Sequence, residues 1–190
     1  MLNFIRMVDL EIIMAKRSDF ERIERDYYRT FDPKAGVALK PFVDENLKYI
    51  EPFAGAGDLV DQLTYVNCLI KTDIEPQADD IAQRDAFSYN REELLDYGVE
   101  AVITNPPWGR PILHKTIEHF APIVPTWLLL DANWIWTKQA KPYIDKYLTD
   151  IVTIGRLKWI PNTNMSGKDD CAWMRFSHDK KEPTRFFGRE

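Results

Sequence analysis

Apolar residues along this chain fall into short runs of two different periods. Beyond Thr30, runs over 49–53, 68–72, 101–104, 127–130, 151–154 and 171–176, with a short one near Ile81, predict seven strands. Between them, apolar positions recur at helical spacing over 57–63, 91–97, 111–120 and 138–147, which predicts helices. Apolar strands separated by short helices imply an α/β fold, a mostly parallel sheet with helices on both faces. No helical pattern separates the last two strands, so they are expected to form an antiparallel pair at one edge. Before Thr30 the pattern changes to an apolar start followed by the charged stretch 16–29, where Phe20, Ile23 and Tyr27 lie at helical spacing.

Met14-Ala15-Lys16 reads as a start site, so 1–13 is expected to be an upstream extension. The resulting division is an arm over 1–25, one folded domain over 26–178 and a basic tail over 179–190. Hydrophobic residues make up 45% and charged residues 29% of the 190, an ordinary globular composition. The longest apolar stretch, 122–130, is too short to span a bilayer and contains Pro125, so no membrane contact is expected. Arg6, Asp9 and Glu11 interrupt the apolar start, which argues against a secretory signal and for the cytoplasm. Cys68 and Cys171 read as buried thiols. Neither they nor His114, His119 and His178 have zinc-ligand spacing, and no metal is expected. His114 and His119 are expected to face solvent on a helix.

Net charge is −5, but residues from Ile151 onward carry +3 and the first 150 carry −8. A basic end beside an acidic body suits either a solvated tail or a polyanion touched by one face.

Two motifs carry chemistry. Glu51-Pro52-Phe53-Ala54-Gly55-Ala56-Gly57-Asp58 leaves a strand and enters a helix. Gly55 permits a tight turn, and Gly57 lets a ligand approach the backbone. Asp73 ends the next strand, sixteen residues after Gly57, where a carboxylate can accept from ribose hydroxyls. The turn lacks both a Gly-Lys-Ser/Thr ending and a third glycine, which disfavours phosphate and dinucleotide ligands. A nucleoside without a pyrophosphate fits better, and S-adenosylmethionine is the common one. Asp85 could accept from an adenine amine and Phe87 could meet its edge, although Phe87 is equally readable as core.

The second motif is Asn105-Pro106-Pro107-Trp108, after the fourth strand. The amide oxygen and the Pro106 carbonyl can both accept from one NH2 group, and the indole can lie against a flat ring. Pro107 stiffens the backbone that aims them. A purely structural reading makes Asn105 the cap of the following helix and Trp108 a surface anchor. Against it, ligands in open α/β sheets collect at the carboxyl ends of the strands, and the first and fourth strands are expected to be neighbours there. Trp127, Trp134 and Trp136, around the fifth strand, read as core and pocket rim.

Taken in order, Glu-Pro-Phe-Ala-Gly-Ala-Gly, Thr-Asp-Ile-Glu-Pro, Arg-Asp-Ala-Phe and Thr-Asn-Pro-Pro-Trp resemble class I S-adenosylmethionine-dependent methyltransferases of the N6-adenine DNA type. Asp26-Tyr27-Tyr28-Arg29-Thr30-Phe31-Asp32-Pro33 resembles the Tyr-x-Thr-Pro segment of phage and prophage members. Gly167-Lys168-Asp169-Asp170-Cys171-Ala172-Trp173-Met174 resembles their late Asp-Ser-x-x-Tyr-Ala-Trp strand. The resemblance implies a Rossmann-like class I methyltransferase fold. It further implies that Tyr28 and Thr30 enclose the methionine end of S-adenosylmethionine, and that Glu51, Phe53, Gly55 and Gly57 form its floor. Asp73 would hold the ribose, and Asp85 and Phe87 the adenine. Asn105 and the Pro106 carbonyl would bind the substrate amine within the tetrapeptide 105–108, with Trp108 stacked on the base and Trp159 or Trp173 as a second wall.

Lys168 lies in a loop whose position invites a DNA contact. The sequence departs from the pattern in the extra Phe31-Asp32 before Pro33 and in Trp108, where Tyr or Phe is commoner. Acceptors other than DNA adenine are RNA bases or a protein glutamine amide, and a cofactor-binding partner subunit is the non-enzymatic alternative. Cytosine C5 chemistry needs a cysteine in a Pro-Cys context, which neither cysteine has. There is little room for a separate recognition domain, so loops 109–115 and 162–168, the basic end or a protein partner are expected to supply target recognition.

Overall fold

The computed structural model describes residues 29–161 and 166–189. The helix expected over 16–29 therefore lies outside the described residues except for Arg29. Eight strands form one sheet: β1 (Lys48–Glu51), β2 (Asn67–Asp73), β3 (Ala82–Gln83), β4 (Ala101–Thr104), β5 (Thr126–Asp131), β6 (Leu148–Arg156), β7 (Asp170–Phe176) and β8 (Arg185–Phe187). Their order is β3-β2-β1-β4-β5-β7-β6-β8. The first five run parallel, and β7 is antiparallel to both β5 and β6. The order reverses between β1 and β4, which pair Tyr49 with Ala101 and Ile50 with Val102. The turns that follow these two strands are thus brought side by side at their carboxyl ends, where such sheets bind ligands.

Apolar runs become two-sided burial. All four residues of β4 and the first five of β5 are buried. One face packs Tyr49, Ile103, Leu129 and Trp173 against Ala35 and Leu39 of α1 (Lys34–Leu39) and Leu59 of α2 (Asp58–Gln62). The other packs Leu128 and Met174 against Leu113 and Ile117 of α4 (Arg110–Phe120), and Ile50 and Val102 against Leu94 of α3 (Arg91–Asp96). Full burial of a leucine or isoleucine stabilises by about 1.5–3 kcal/mol, so these few contacts hold the helices to the sheet. The Asn90 side chain caps α3 by accepting from Glu93 N at 2.9 Å.

Several elements differ from the sequence pattern. The stretch 138–147 splits into a 3-10 turn over Lys138–Ala140 and α5 (Lys141–Lys146), because Pro142 suits only a first helical turn. The strand expected near Ile81 starts one residue later and is two residues long. The expected antiparallel pair exists, but β7 inserts between β5 and β6 and does not close the edge. The edge belongs to β8, so the sheet has eight strands and the basic end is only partly a tail. Arg185 Nε donates to Asp150 Oδ1 at 2.7 Å, and Thr184 Oγ1 to the Leu148 carbonyl at 2.7 Å. The Phe187 ring meets Phe42 at 4.8 Å, while Phe186 stays exposed.

Trp173 is fully buried, and its Nε1 donates to the Ala35 carbonyl at 2.8 Å. Trp173→Phe is expected to cost about 1–3 kcal/mol, from an unpaired carbonyl and a small gap. Urea unfolding checks this: an unchanged midpoint would mean that the indole does not tie α1 to the sheet.

Candidate functional site

The glycine turn is shaped by two left-handed residues, Gly55 at φ 53° and Gly57 at φ 86°. Gly57 N donates to the Ala54 carbonyl at 2.7 Å, which closes the turn. A Cβ at Gly57 would have room, its nearest neighbour being Ile81 Cδ1 at 3.5 Å. The backbone conformation, not crowding by the protein, therefore demands glycine there.

Glu51 ends β1 beneath this turn. It is buried, and its Oε2 has no hydrogen-bond partner among the described residues. Burial, with Asp73 and Asp58 nearby, pushes its carboxyl well above the usual carboxylate range. A buried, unpartnered carboxyl oxygen at a glycine turn suits a cationic ligand, whose charge would favour the ionised form. In the free protein the raised folded pKa means that the neutral form is favoured. Its stabilising contribution is complete below the ordinary carboxylate pKa and is lost as pH rises through the raised one. Glu51→Gln is therefore expected to raise the melting temperature of the free protein by a few degrees at pH 8, with the gain shrinking towards pH 4.5. Thermal melts across that range check it; a lower melting temperature at pH 8 would contradict the burial argument.

Asp73 knits two loops together. Its Oδ2 accepts from Gly55 N at 2.9 Å and its Oδ1 from Glu75 N at 2.8 Å, and each oxygen keeps a lone pair. Ile74, which follows it, is 56% exposed. In the sequence this residue stands only as part of Thr-Asp-Ile-Glu-Pro, with no role of its own. Asp85 is exposed, and its Oδ1 accepts from Phe87 N at 2.9 Å. Phe87 is half-buried, edge-on to Phe53 at 6.1 Å, with Lys115 Nζ 3.9 Å above its ring. The turn, Glu51, Asp73, Phe53 and Phe87 thus occupy one end of the sheet.

Asn105 follows β4 at the same end. It does not cap α4: the capping position is Gly109, which makes no side-chain cap. Its amide is committed elsewhere. Nδ2 donates to Thr30 Oγ1 at 2.9 Å, and Oδ1 accepts from Trp108 Nε1 at 3.1 Å. Trp108 Nε1 also donates to the Leu129 carbonyl at 3.0 Å, which fixes the indole against β5. Pro106 is buried.

Residues 29–33 cross this end as a strap. Arg29 Nε donates to Asp58 Oδ2 at 2.8 Å, with a second ion-pair contact from Nη2. Gln62 Nε2 donates to the Thr30 carbonyl. Buried Asp32 accepts from Lys34 N at 3.1 Å and, 126 residues on, from Lys158 N at 2.9 Å. The inserted Asp32 therefore ties the strap to the loop after β6. Thr30 reaches Asn105, whereas Tyr28 lies outside the described residues.

Trp159 and Trp173, the alternatives for a second aromatic wall, lie in different surroundings. Trp173 is corrected to core, because it has no exposed surface to offer a ligand. Trp159 is half-buried and stands edge-on to Trp108, 5.5 Å between centroids at 86°. A Cβ on Gly167 would lie 2.7 Å from Trp159 Nε1, so the glycine makes room for that indole. Lys168 is exposed beside it, and 162–165 lie outside the described residues. Of the three tryptophans near β5, Trp127 and Trp134 are core and Trp136 is 80% exposed.

His114 and His119 are half-buried, contrary to the solvent-facing expectation. Trp134 Nε1 donates to His114 Nε2 at 3.3 Å, His119 Nε2 lies 2.7 Å from the Tyr89 carbonyl, and burial lowers the pKa of both rings. Burial pushes the Cys68 thiol up to about 11 and the Cys171 thiol to about 12, which makes both poor nucleophiles. Among the described residues, no cluster of three or more His, Cys, Asp or Glu could hold a metal, and no helix is long and apolar enough to cross a membrane.

The fold is shared with solved structures. One is a protein from Vibrio vulnificus YJ016 assigned as a modification subunit of a type I restriction enzyme, with TM-score 0.56 and 9% identity over 85% of this chain. Another is the E. cuniculi Mtq2–Trm112 complex, which methylates the eRF1 translation termination factor, with TM-score 0.56 and 16% identity over 80% of this chain. A third, from Listeria monocytogenes, is assigned as a class I S-adenosylmethionine-dependent methyltransferase, with TM-score 0.54 and 11% identity over 85%. This is a class I methyltransferase fold. The chain spans 47% of the Vibrio protein, 66% of the Listeria protein and 98% of the E. cuniculi chain. No family model and no curated protein sequence matches it. In this fold the glycine turn after β1 and the tetrapeptide after β4 stand on neighbouring strands, on either side of the point where the strand order reverses.

Proposed function

We propose that this chain transfers a methyl group from S-adenosylmethionine to the exocyclic N6 amine of adenine in DNA. The observation that carries the reading is the Asn105 amide: it stands at the end of β4 next to the glycine turn, free of any capping role and held in one orientation. S-adenosylmethionine supplies a methyl group activated by its sulfonium. Glu51 would meet the cationic end of that cofactor, Asp73 its ribose hydroxyls, and Ile74, Asp85 and Phe87 its adenine. Tyr28 and Thr30 would border the methionine end.

An exocyclic amine is a poor nucleophile because its lone pair is shared with the ring. The remaining lone pair of Asn105 Oδ1 and the Pro106 carbonyl would accept its two hydrogens. Those bonds strengthen as the nitrogen turns tetrahedral and gains positive charge. Alignment with the methyl group would then supply much of the rate; the demethylated cofactor would leave, and the nitrogen would return to neutrality by losing one proton to water. The base must leave its duplex, and the unstacking cost is partly recovered against Trp108 and Trp159. Lys168 and the other basic residues of 151–190 would meet the phosphates.

The second reading is a protein glutamine amide or an RNA base. The protein acceptor is favoured by the 98% coverage of the E. cuniculi chain, whose complex acts on a termination factor. That complex and the Vibrio subunit both belong to assemblies, and here too a protein partner could supply target recognition. Tritiated methyl transfer to unmethylated DNA, RNA and protein in parallel tests the reading. Label in DNA is expected. Label in RNA or protein alone would move the reading to that acceptor, and cofactor binding without any transfer would make the chain a partner subunit.

A further inference from the structure

Polar groups from four parts of the chain form a line that runs from Gly36 through Gln62, Thr30 and Asn105 to Trp108. Gly36 N, in α1, donates to Gln62 Oε1 at 3.1 Å. Gln62 Nε2 donates to the Thr30 carbonyl, Asn105 Nδ2 to Thr30 Oγ1 at 2.9 Å, and Trp108 Nε1 to Asn105 Oδ1 at 3.1 Å. The two ends of this line set the direction of every amide within it. A backbone N–H and an indole N–H can only donate, so each must face an amide oxygen. Gln62 is thereby turned with its NH2 towards Thr30, and Asn105 with its NH2 towards the Thr30 hydroxyl. The packing is equally committed: a Cβ on Gly36 would lie 2.9 Å from Gln62 Cβ, and Tyr65 Oη donates to the Gly36 carbonyl at 2.6 Å. Gln62 is admitted where α1 and α2 meet because residue 36 has no side chain.

We infer that Gln62 and Thr30 are positioning residues for the acceptor side of the site, holding the Asn105 amide with its oxygen presented to the incoming amine. The inference rests on the amine-binding role proposed for Asn105. Rotation of that amide by half a turn would present NH2 to NH2, donor against donor. Trp108 alone anchors one corner of the amide, and Thr30 anchors the other, so together they fix its plane. Gln62 touches neither cofactor nor acceptor; it acts by clamping the backbone of Thr30. The strap over 29–33 is thus part of the acceptor site as well as the expected border of the cofactor.

The test compares Thr30→Val, which keeps the shape but removes the oxygen, with Thr30→Ser, which restores the oxygen, and with Gln62→Glu. Glu at 62 can still accept from Gly36 N but faces the Thr30 carbonyl with a second acceptor. In the free protein, the 1H–15N cross-peaks of the Asn105 side-chain amide and the Trp108 indole are expected to shift in Thr30→Val and Gln62→Glu and to return in Thr30→Ser. In transfer assays, kcat is expected to fall by roughly 10–100-fold in the first two, with KM for DNA within about threefold, and to recover in Thr30→Ser.

Unshifted cross-peaks, or wild-type kcat in Thr30→Val, would overturn the inference. If Gln62→Glu does not fold, the Thr30 pair still decides. If the wild-type protein methylates nothing, the proposed function fails, while the cross-peaks still report whether Thr30 and Gln62 orient Asn105.

Discussion

Replacing Asn105 by alanine is expected to lower kcat for methyl transfer by about 10²–10³-fold or more, in line with removal of one preorganised group from a charge-stabilising site. The dissociation constant of S-adenosylmethionine should change by less than about threefold, because most residues proposed to hold the cofactor follow β1, β2 and β3, and the strap stays tied down by Arg29–Asp58 and by Gln62. The Asn105 side chain is the only one that meets both Thr30 Oγ1 and Trp108 Nε1 among the described residues, so its loss removes an acceptor and the bridge between strap and tetrapeptide. Trp108 keeps its second acceptor at Leu129, so the indole stays anchored and the fold is expected to survive. Single-turnover transfer of a tritiated methyl group, with calorimetry for the cofactor, separates the two effects. Near-normal turnover would remove Asn105 from the chemistry.

Asp73→Ala should act on the other ligand. Two charge-assisted hydrogen bonds to ribose, with a net worth of about 1.5–3 kcal/mol each, correspond to a rise in cofactor Kd on the order of 100-fold or more. The same carboxylate receives Gly55 N and Glu75 N, so its removal also frees two donors that order the glycine turn and the loop after β2. The expected signature is a raised Kd together with faster amide exchange in both segments, and a kcat at saturating cofactor much closer to wild type than that of Asn105→Ala. Unchanged affinity by calorimetry would refute the ribose assignment. A normal Kd with fast exchange would leave Asp73 a purely structural cap.

Much of the central sheet was legible because its strands are apolar over their whole length. β4 and β5 are buried on both faces, and such runs stand out without any partner in view. The elements at the margins were not. β3 has two exposed residues, and β8 is a mostly exposed triplet whose docking depends on Arg185 reaching the buried Asp150. Only the short apolar run near Ile81 points to β3, and nothing local marks β8 as a strand. The antiparallel character of the late strands was readable from the missing helix, but the insertion of β7 between β5 and β6 is a matter of topology.

The site divides in the same way. Gly57, Asp73 and Asn105 stand out in the sequence because turn conformation and strand position constrain residue type, and the structure places all three at one end of the sheet. Gln62, Ile74 and Asp32 were missed because their roles depend on residues distant in sequence, as with Asp32 and Lys158 N. Trp173 shows the opposite error: an aromatic in a suggestive stretch, whose alternation along β7 in fact turns it into the core. Trp108 is the subtler case, since its ring is spent first on holding Asn105 and Leu129. The tetrapeptide is therefore an internally braced unit, anchored to β5 through the indole.

The most direct test of the account is the identity of the methylated atom. DNA free of methylation is incubated with the protein and S-adenosylmethionine bearing a deuterated methyl group, digested to nucleosides and analysed by mass spectrometry. The account predicts the label in N6-methyldeoxyadenosine and in no other nucleoside. Label on the N4 amine of deoxycytidine, or unlabelled DNA beside labelled RNA or protein in parallel reactions, would contradict it.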